Sequence, residues 1–110
     1  MKVNLEGKVA IVTGGARDIG GAVSRALAAS GASVVVNYQS SAEKARDVVA
    51  EITAAGGRAV AVQADVSRPA EAKRLVAEAT RAFGDRIDVL VNNAGGLLAR
   101  KGLADIDETF

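Results

Sequence analysis

A chain of 110 residues is long enough for one small domain and too short for two. Hydrophobic residues make up 49% of it and aromatic residues only 3%, so its core must consist mainly of Ala, Val, Leu and Ile. A net charge of +1 gives no reason to expect a nucleic acid or an anionic membrane as a partner. Because Cys and His are both absent, disulfides and thiolate chemistry are excluded; only a metal site made of carboxylates remains open, and since no spacing suggests one we predict no metal site. No apolar stretch approaches the roughly 20 residues of a membrane span, and no signal-peptide pattern follows Met1, so we expect a cytoplasmic protein.

The first elements are a buried strand, a glycine turn and an amphipathic helix. The run Lys8–Thr13 is almost continuously apolar, which predicts a strand that is buried on both faces. Gly14 and Gly15 end this strand, and Gly31 is placed to end the helix that follows. The apolar face of this helix is predicted to be Ile19, Val23, Ala26 and Leu27. Ser33–Tyr38 then predicts a second buried strand.

A second helix and a third strand follow. Ser40, with Glu43 three residues later, predicts a capping box that opens the helix, and Gly56 and Gly57 end it. The apolar face of the helix is predicted to be Ala45, Val48, Val49 and Ile52. Ala59–Gln63 has the composition of a third strand.

The pattern then repeats once more. Ser67 is the predicted cap of a third helix, with Pro69 in its first turn and Gly84 at its end. The apolar face of this helix is predicted to be Ala72, Leu75, Val76, Ala79 and Phe83. Ile87–Asn92 predicts the fourth strand, and a further helix is expected to begin within Leu103–Phe110.

This alternation of strands and helices predicts an α/β fold of the Rossmann type, a doubly wound parallel sheet with helices on both faces. Right-handed crossovers place strands two and three on one side of strand one, and the third helix then returns strand four to the other side. The predicted strand order is therefore 3-2-1-4. Sheets of this kind bind ligands at the carboxyl ends of the strands where the order reverses, here between strands one and four.

The turn after the first strand has the composition of a phosphate-binding loop. It reads Thr13-Gly14-Gly15-Ala16-Arg17-Asp18-Ile19-Gly20. A pyrophosphate needs backbone N–H donors at a helix N-terminus and a turn without Cβ atoms where it approaches. Gly14 provides the tight turn, and Gly20 lets the helix lie close to the sheet. An ordinary turn with incidental glycines is the alternative, which the flanking strand and helix disfavour.

Two further segments stand at strand ends, Asp65-Val66 after the third strand and Asn92-Asn93-Ala94-Gly95 after the fourth. Together with the turn, they resemble the signatures of the compact short-chain dehydrogenases/reductases, nearest to the 3-oxoacyl-carrier-protein reductases. The resemblance covers nearly the whole chain and implies hydride transfer between NAD(P)(H) and an alcohol or carbonyl substrate. It also implies that residues 1–110 are the nucleotide-binding half of a single Rossmann domain. The cofactor-binding residues it implies are Gly14, Arg17, Asp18, Ile19, Gly20, Tyr38, Ser40, Asp65, Val66, Asn92, Ala94 and Gly95.

The resemblance gives two of these residues specific roles. Asp65 would accept a hydrogen bond from the adenine amino group, or it is simply a loop acid ahead of Ser67. Asn92 would bond neighbouring backbone and fix the fourth strand near the ribose, or it is a turn asparagine.

Asp18 departs from the family signature, which has a glycine at this position. A carboxylate there would repel the pyrophosphate if its charge faced it. We interpret Asp18 as the N-cap of the first helix, with its charge in solvent, because Asp is among the best N-cap residues. Arg17 stands where the sugar-nucleotide epimerases have a glycine, so that branch fits less well.

The end of the second strand favours NADP over NAD. NAD-specific sites have an acid there that binds the ribose 2′-hydroxyl. Here that position is Tyr38, and the next acid along the chain is Glu43. Arg17 matches the basic residue that pairs with a 2′-phosphate in many relatives, and Ser40 could hydrogen-bond the same group. A solvated surface arginine is the alternative for Arg17.

The catalytic residues that the resemblance implies are missing from this sequence. The family uses a Tyr with a Lys four residues later, plus a Ser and an Asn, beyond its Asn-Asn-Ala-Gly signature. The only tyrosine here is Tyr38, and Ala42 follows it four residues later. We therefore expect this chain to bind the cofactor without reducing a substrate, as part of a longer, homo-oligomeric parent enzyme. The alternative is a non-catalytic nucleotide-binding or assembly module that is complete as written.

Overall fold

The computed structural model describes residues 4–93, which form a four-stranded parallel sheet with three helices. The strands are β1 (Val9–Thr13), β2 (Ser33–Tyr38), β3 (Arg58–Gln63) and β4 (Val89–Asn92). The helices are α1 (Asp18–Ala29), α2 (Ala42–Ala54) and α3 (Pro69–Phe83). The strand order is β3-β2-β1-β4 and every pairing is parallel, so the predicted fold class and order are confirmed. The predicted helix within Leu103–Phe110 lies outside the described residues.

The predicted strands match the observed ones closely, with small shifts at three of their starts. β1 begins at Val9 rather than Lys8, β3 at Arg58 rather than Ala59, and β4 at Val89 rather than Ile87. Within residues 4–93, no helix combines the length and the apolar composition that crossing a membrane would require.

The sheet separates two apolar cores, because successive side chains of a strand point to opposite faces. On the face covered by α1 and α2, the buried residues are Ala10, Val12, Ala16, Ala28, Ala32, Val34, Val36, Ala45, Val48 and Ile52. On the face covered by α3, they are Ile11, Val35, Ala64, Leu75 and Ala79. The predicted apolar faces of α2 and α3 are therefore confirmed. The central strands β1 and β2 are buried on both faces, whereas β3 and β4 lie at the edges and are only partly buried.

Helix α1 packs against the sheet through small residues and not through the face predicted for it. Its buried residues are Gly20, Gly21, Ser24 and Ala28, with Val23 and Leu27 partly buried beside them. Ile19 is 70% exposed and Ala26 is also exposed, so placing both on the buried face was wrong. The reason is the close approach of the helix to the preceding turn, where a Cβ atom on Gly20 would collide with the carbonyl oxygen of Gly14.

The start of α2 differs from the prediction. The N-cap is Ser41 and not Ser40, and its side chain makes no capping hydrogen bond. Glu43 is therefore only the second residue of the helix, one position too early to complete a capping box, so that prediction was wrong.

The start of α3 also differs. The N-cap is Arg68, because the Ser67 hydroxyl donates to Oδ1 of Asp65 at 2.6 Å and does not cap the helix. Pro69 occupies the first turn as predicted. The three helices end as predicted, each followed by a glycine with positive φ, namely Gly31, Gly56 and Gly84.

Candidate functional site

A cavity of about 380 Å³ lies at the carboxyl ends of the strands. It is lined by Gly14, Ala16, Arg17, Asp18, Ile19, Asn37, Tyr38, Gln39, Ser40, Ser41, Ala64, Val66 and Asn93. The predicted cofactor residues found in this lining are Gly14, Arg17, Asp18, Ile19, Tyr38, Ser40 and Val66. Those that do not line it are Gly20, Asp65 and Asn92. The remaining predicted residues, Ala94 and Gly95, lie outside the described residues. The cavity thus brings together the ends of β1, β2, β3 and β4.

The glycine-rich turn (residues 14–17) joins β1 to α1 and brings the N-terminus of α1 to the cavity. Gly14 has φ of 61°, which a residue with a Cβ atom rarely adopts. The first N–H groups of a helix have no partner within the helix, and this end of the helix dipole attracts anions. The close contact between Gly20 and Gly14 keeps the helix start directly above the end of β1. The turn and the start of α1 together therefore offer what a phosphate group requires, namely helix N–H groups without an intrahelical acceptor, positive potential and glycine backbone without side chains.

Asp18 is the first residue of α1, and its N-cap is Arg17, so the prediction that Asp18 is the N-cap was wrong. Within residues 4–93 Asp18 is the only non-glycine residue with a positive φ, at 21°. Its side chain is exposed, as predicted, and an acid in the first turn is favourable for the helix dipole. A bound phosphate would use the same positive helix end, so the Asp18 carboxylate competes with it.

Asn37 is a buried polar residue whose importance the sequence did not reveal. It lies near the carboxyl end of β2 and is 2% exposed. Its Nδ2 donates to the carbonyl oxygens of Val62 and Ala64, both at 3.2 Å. Its Oδ1 accepts from the N–H of Gly14 at 3.3 Å, and its backbone oxygen accepts from the N–H of Gly15 at 2.9 Å. The one signal in the sequence was an amide side chain within an otherwise Val-rich buried run.

Thr13 and Asn93 connect the glycine-rich turn to the end of β4. The Thr13 hydroxyl donates to Oδ1 of Asn92 at 3.0 Å and accepts from the N–H of Asn93 at 2.9 Å. The side-chain amide of Asn93 donates to the carbonyl oxygen of Gly14 at 3.4 Å. Asn92 thus accepts a hydrogen bond from a side chain of β1, whereas a bond to neighbouring backbone was expected. Asn93, rather than Asn92, lines the cavity.

Asp65 lies directly after β3, between the cavity-lining residues Ala64 and Val66. Its Oδ1 accepts hydrogen bonds from the hydroxyl and the backbone N–H of Ser67, at 2.6 and 3.1 Å. These bonds lower the pKa of the Asp65 carboxyl below its usual value, so the group is ionised at neutral pH. An ionised carboxylate can only accept hydrogen bonds, and binding an amino group at this point requires such an acceptor.

A second cavity, of about 510 Å³, lies at the opposite end of the sheet, where the strands begin. It is lined by residues at the amino ends of β1, β2 and β3, among them Gly31, Gly57 and Arg58. No helix N-terminus opens into it among the described residues, because its helical contributors are the C-terminal ends of α1 and α2. The carboxyl-end cavity is therefore the better candidate for an anionic ligand.

The family of this chain follows from a family model that covers most of its length. The model described as short chain dehydrogenase matches residues 8–109. The chain belongs to the short chain dehydrogenase family. The resemblance that the glycine turn and the Asn-Asn-Ala-Gly segment suggested is thereby confirmed.

Similar sequences come from bacteria and fungi. An uncharacterized oxidoreductase of Methylorubrum extorquens is 60% identical over 91 residues, which cover 83% of this chain and 36% of that protein. A hydroxynaphthalene reductase-like protein of Metarhizium robertsii is 50% identical over 92 residues, which cover 84% of this chain and 34% of that protein. The chain thus spans about a third of the length of these curated relatives.

Similar solved structures have the same architecture. A short chain dehydrogenase from Burkholderia cenocepacia, in complex with NADP, is 49% identical with a TM-score of 0.79, over 96% of this chain and 44% of that one. A hydroxysteroid dehydrogenase from Escherichia coli is 42% identical with a TM-score of 0.78, over 84% of this chain and 39% of that one. Both agree with the Rossmann-type sheet described above.

Proposed function

We propose that this short chain dehydrogenase binds NADP(H) in the cavity at the carboxyl ends of its strands. In this proposal the chain is the cofactor-binding part of an oxidoreductase that transfers a hydride between NADP(H) and a small alcohol or carbonyl substrate. The observation that carries the proposal is the composition of the cavity. A glycine-rich turn at a helix N-terminus meets the end of β2, which contributes Ser40 and no acid, while Arg17 lines the same cavity.

Arg17 and two serines form the proposed 2′-phosphate site. Arg17 is exposed at the start of α1, and Ser40 and Ser41 line the same cavity from the loop after β2. A phosphate between a guanidinium and hydroxyl groups gains charge-assisted hydrogen bonds. None of residues 37–41 carries a negative charge, so a phosphate at this end of the cavity would meet no like charge from β2. The NADP complex of the Burkholderia cenocepacia relative gives independent support for the choice of cofactor.

In the same proposal, the pyrophosphate, the adenine ring and the ribose are each bound by other residues at this end of the sheet. We propose that the turn at Gly14 and the N–H groups of Ile19 and Gly20 hold the pyrophosphate. Val66 offers an apolar surface to the adenine ring, and the ionised Asp65 beside it accepts from the adenine amino group. Asn92, which accepts a hydrogen bond from Thr13, fixes the end of β4 near the ribose in this proposal. The roles of Asp18, Tyr38, Ala94 and Gly95 in binding stay predictions.

The reduction itself requires groups that these 110 residues do not provide. When bound, the nicotinamide would supply or accept the hydride, and carbonyl reduction also needs a proton donor beside it. The only tyrosine, Tyr38, lies at the end of β2 on the same side of the cavity as Ser40 and has Ala42 four residues later. We therefore propose that Tyr38 serves the adenosine end and that no catalytic residue lies in this sequence. The cytoplasmic location and the homo-oligomeric parent stay predictions.

The test of the 2′-phosphate site is the variant Arg17→Ala. Calorimetric titration should show about tenfold weaker NADPH binding, because a charge-assisted contact to the phosphate is lost, with little change for NADH. The matched control is Arg25→Ala, since Arg25 is another exposed arginine of α1, lies outside the cavity and pairs with Glu51. Equal losses for NADPH and NADH in the Arg17 variant would contradict the proposed 2′-phosphate contact.

A further inference from the structure

We propose that Asn37 is a positioning residue for the cofactor. Its side-chain amide holds the glycine-rich turn, the end of β2 and the end of β3 in the relative arrangement that a dinucleotide requires. This inference rests on the proposed function, because it concerns the same cavity. It adds a residue that touches the phosphate-binding turn from behind and determines where that turn lies.

The amide of Asn37 joins elements that are distant in the sequence. Its Oδ1 contacts Gly14, 23 residues earlier, and its Nδ2 contacts Val62 and Ala64, 25 and 27 residues later. The backbone oxygen of Asn37 adds a bond to Gly15. A single buried residue thus connects the phosphate-binding turn to the segment after β3, where the adenine is proposed to bind.

Only an amide of this length satisfies all of these partners. The position presents one N–H donor, from Gly14, and two carbonyl acceptors, of Val62 and Ala64. The side chain of Asn supplies one acceptor and two donors, which match this set in number and kind. Asp keeps the acceptor but opposes its charge to the carbonyl oxygens, and an apolar residue removes all three of these hydrogen bonds at a position that is 2% exposed.

The arrangement determines which backbone donors face the cavity. The N–H groups of Gly14 and Gly15 are directed towards Asn37 in β2, so they are committed within the protein. The donors left for a phosphate are those at the start of α1, which have no intrahelical acceptor. Because Gly14, Asn37 and Ala64 all line the cavity, a shift of the turn relative to β2 and β3 would separate the phosphate donors from the adenine surface.

The experiment compares Asn37→Ala with a variant that is destabilised elsewhere. Ile52→Ala is the control, because Ile52 is 3% exposed in the core between α2 and the sheet and does not line the cavity. Calorimetry would measure NADPH and adenosine 2′,5′-bisphosphate binding to the 110-residue chain, at a temperature at which circular dichroism shows every variant folded. We expect Asn37→Ala to weaken NADPH binding about tenfold or more, and Ile52→Ala to stay within about twofold of wild type.

A pH series with Asn37→Asp separates positioning from general stability. At high pH the ionised carboxylate faces the carbonyl oxygens of Val62 and Ala64, whereas its protonated form can donate to one of them. The affinity of this variant for NADP⁺, relative to wild type at each pH, should therefore rise as the pH falls. Amide hydrogen exchange should show faster exchange at Gly14 in Asn37→Ala and unchanged exchange there in Ile52→Ala. If Asn37→Ala does not fold, Asn37→Ser replaces it, with the same expected order of affinities.

Two results would overturn the inference while leaving the proposed function intact. One is NADPH binding within twofold of wild type by Asn37→Ala, or by Asn37→Ser where it replaces that variant, and the other is an equal loss in Ile52→Ala. A wild-type chain that binds neither ligand would instead contradict the proposed function, and the positioning role would fall with it.

Discussion

Two neighbouring side chains at the start of α1 would act with opposite sign on a phosphate bound at the proposed site. Arg17 would attract it, whereas Asp18 places a carboxylate in the first turn of the same helix. Both side chains are exposed and both residues line the cavity, so solvent and salt reduce each effect. Asp18 stabilises the helix by neutralising the positive end of its dipole, which is the same end that a phosphate needs. At this position we therefore expect helix stability and affinity for the proposed cofactor to be opposed.

The variant Asp18→Asn tests this opposition. It removes the charge and keeps a residue that tolerates a positive φ, so the turn should stay as it is. We expect NADPH to bind about three- to tenfold more tightly at low salt, and the chain without cofactor to unfold at a slightly lower temperature. Titrations at two salt concentrations check the cause, because the gain in affinity should shrink at high salt. Weaker binding by this variant would show that the carboxylate itself contributes to the site.

The sequence indicated residues of the candidate site where they belong to a local pattern. Gly14 and Gly20 are recognisable because their spacing places a turn and a helix start, and Ser40 because it follows a strand end. Asn37 could not be found in this way. Its partners Val62 and Ala64 belong to a segment that only the folded sheet brings beside it. A single sequence gives the type of a polar residue in a strand but not the acceptors that satisfy it.

At the scale of elements, β1 and β4 are joined at their start by Asp88, just ahead of β4. Its Oδ2 accepts from the N–H of Val9 at 2.9 Å, and its own N–H donates to the carbonyl oxygen of Val9 at 2.9 Å. Its Oδ1 pairs with Nε of Arg86 at 2.8 Å. The Val9 hydrogen bond, with the Arg86 charge, holds the pKa of the Asp88 carboxyl below its usual value.

This lowered pKa predicts a pH dependence of stability. Because the pKa is lower in the folded chain than in the unfolded chain, ionised Asp88 stabilises the fold above the unfolded value. That contribution is lost as the pH falls below about 3.9 and through the folded pKa. In urea unfolding, Asp88→Asn should be less stable than wild type at neutral pH, and the difference should shrink in acid. A difference that is constant across this range would exclude the proposed role of the charge.

The elements themselves were more predictable than their ends. The runs that became β1 and β2 were predictable because burial on both faces favours a continuous apolar composition, and β3 and β4 were recognisable from apolar runs of their own although they are only partly buried. The predicted helix caps were wrong at Ser40, Ser67 and Asp18, because a polar side chain near a helix start can form a hydrogen bond with another group instead of capping the helix. Ser67 shows this directly, as its hydroxyl binds Asp65. The prediction of the buried face of α1 was wrong because this helix lies close to the glycine-rich turn, where Gly and Ser fit and large apolar residues do not.

At the scale of the whole molecule, three connections place polar and glycine residues at the same end of the sheet, where the carboxyl ends of the strands lie. The same cavity is lined by residues of the turn after β1, the loop after β2 and the segment after β3, and by Asn93 after β4. The parallel order β3-β2-β1-β4 places every carboxyl end on that side. The second cavity, at the end of the sheet where the strands begin, is lined mainly by helix C-termini and glycines. Of these two cavities, the one at the carboxyl ends of the strands is therefore the better candidate for the ligand.

The most direct test of NADP(H) binding at this end of the sheet is amide chemical-shift mapping of the ¹⁵N-labelled chain during titration with NADPH. The shifts should be largest at Arg17, Ile19, Ser40 and Val66, which line the proposed site. They should be small at Gly31 and Gly57, which line the opposite cavity. No shifts at saturating NADPH, or shifts centred on Gly31 and Gly57, would contradict the proposed site.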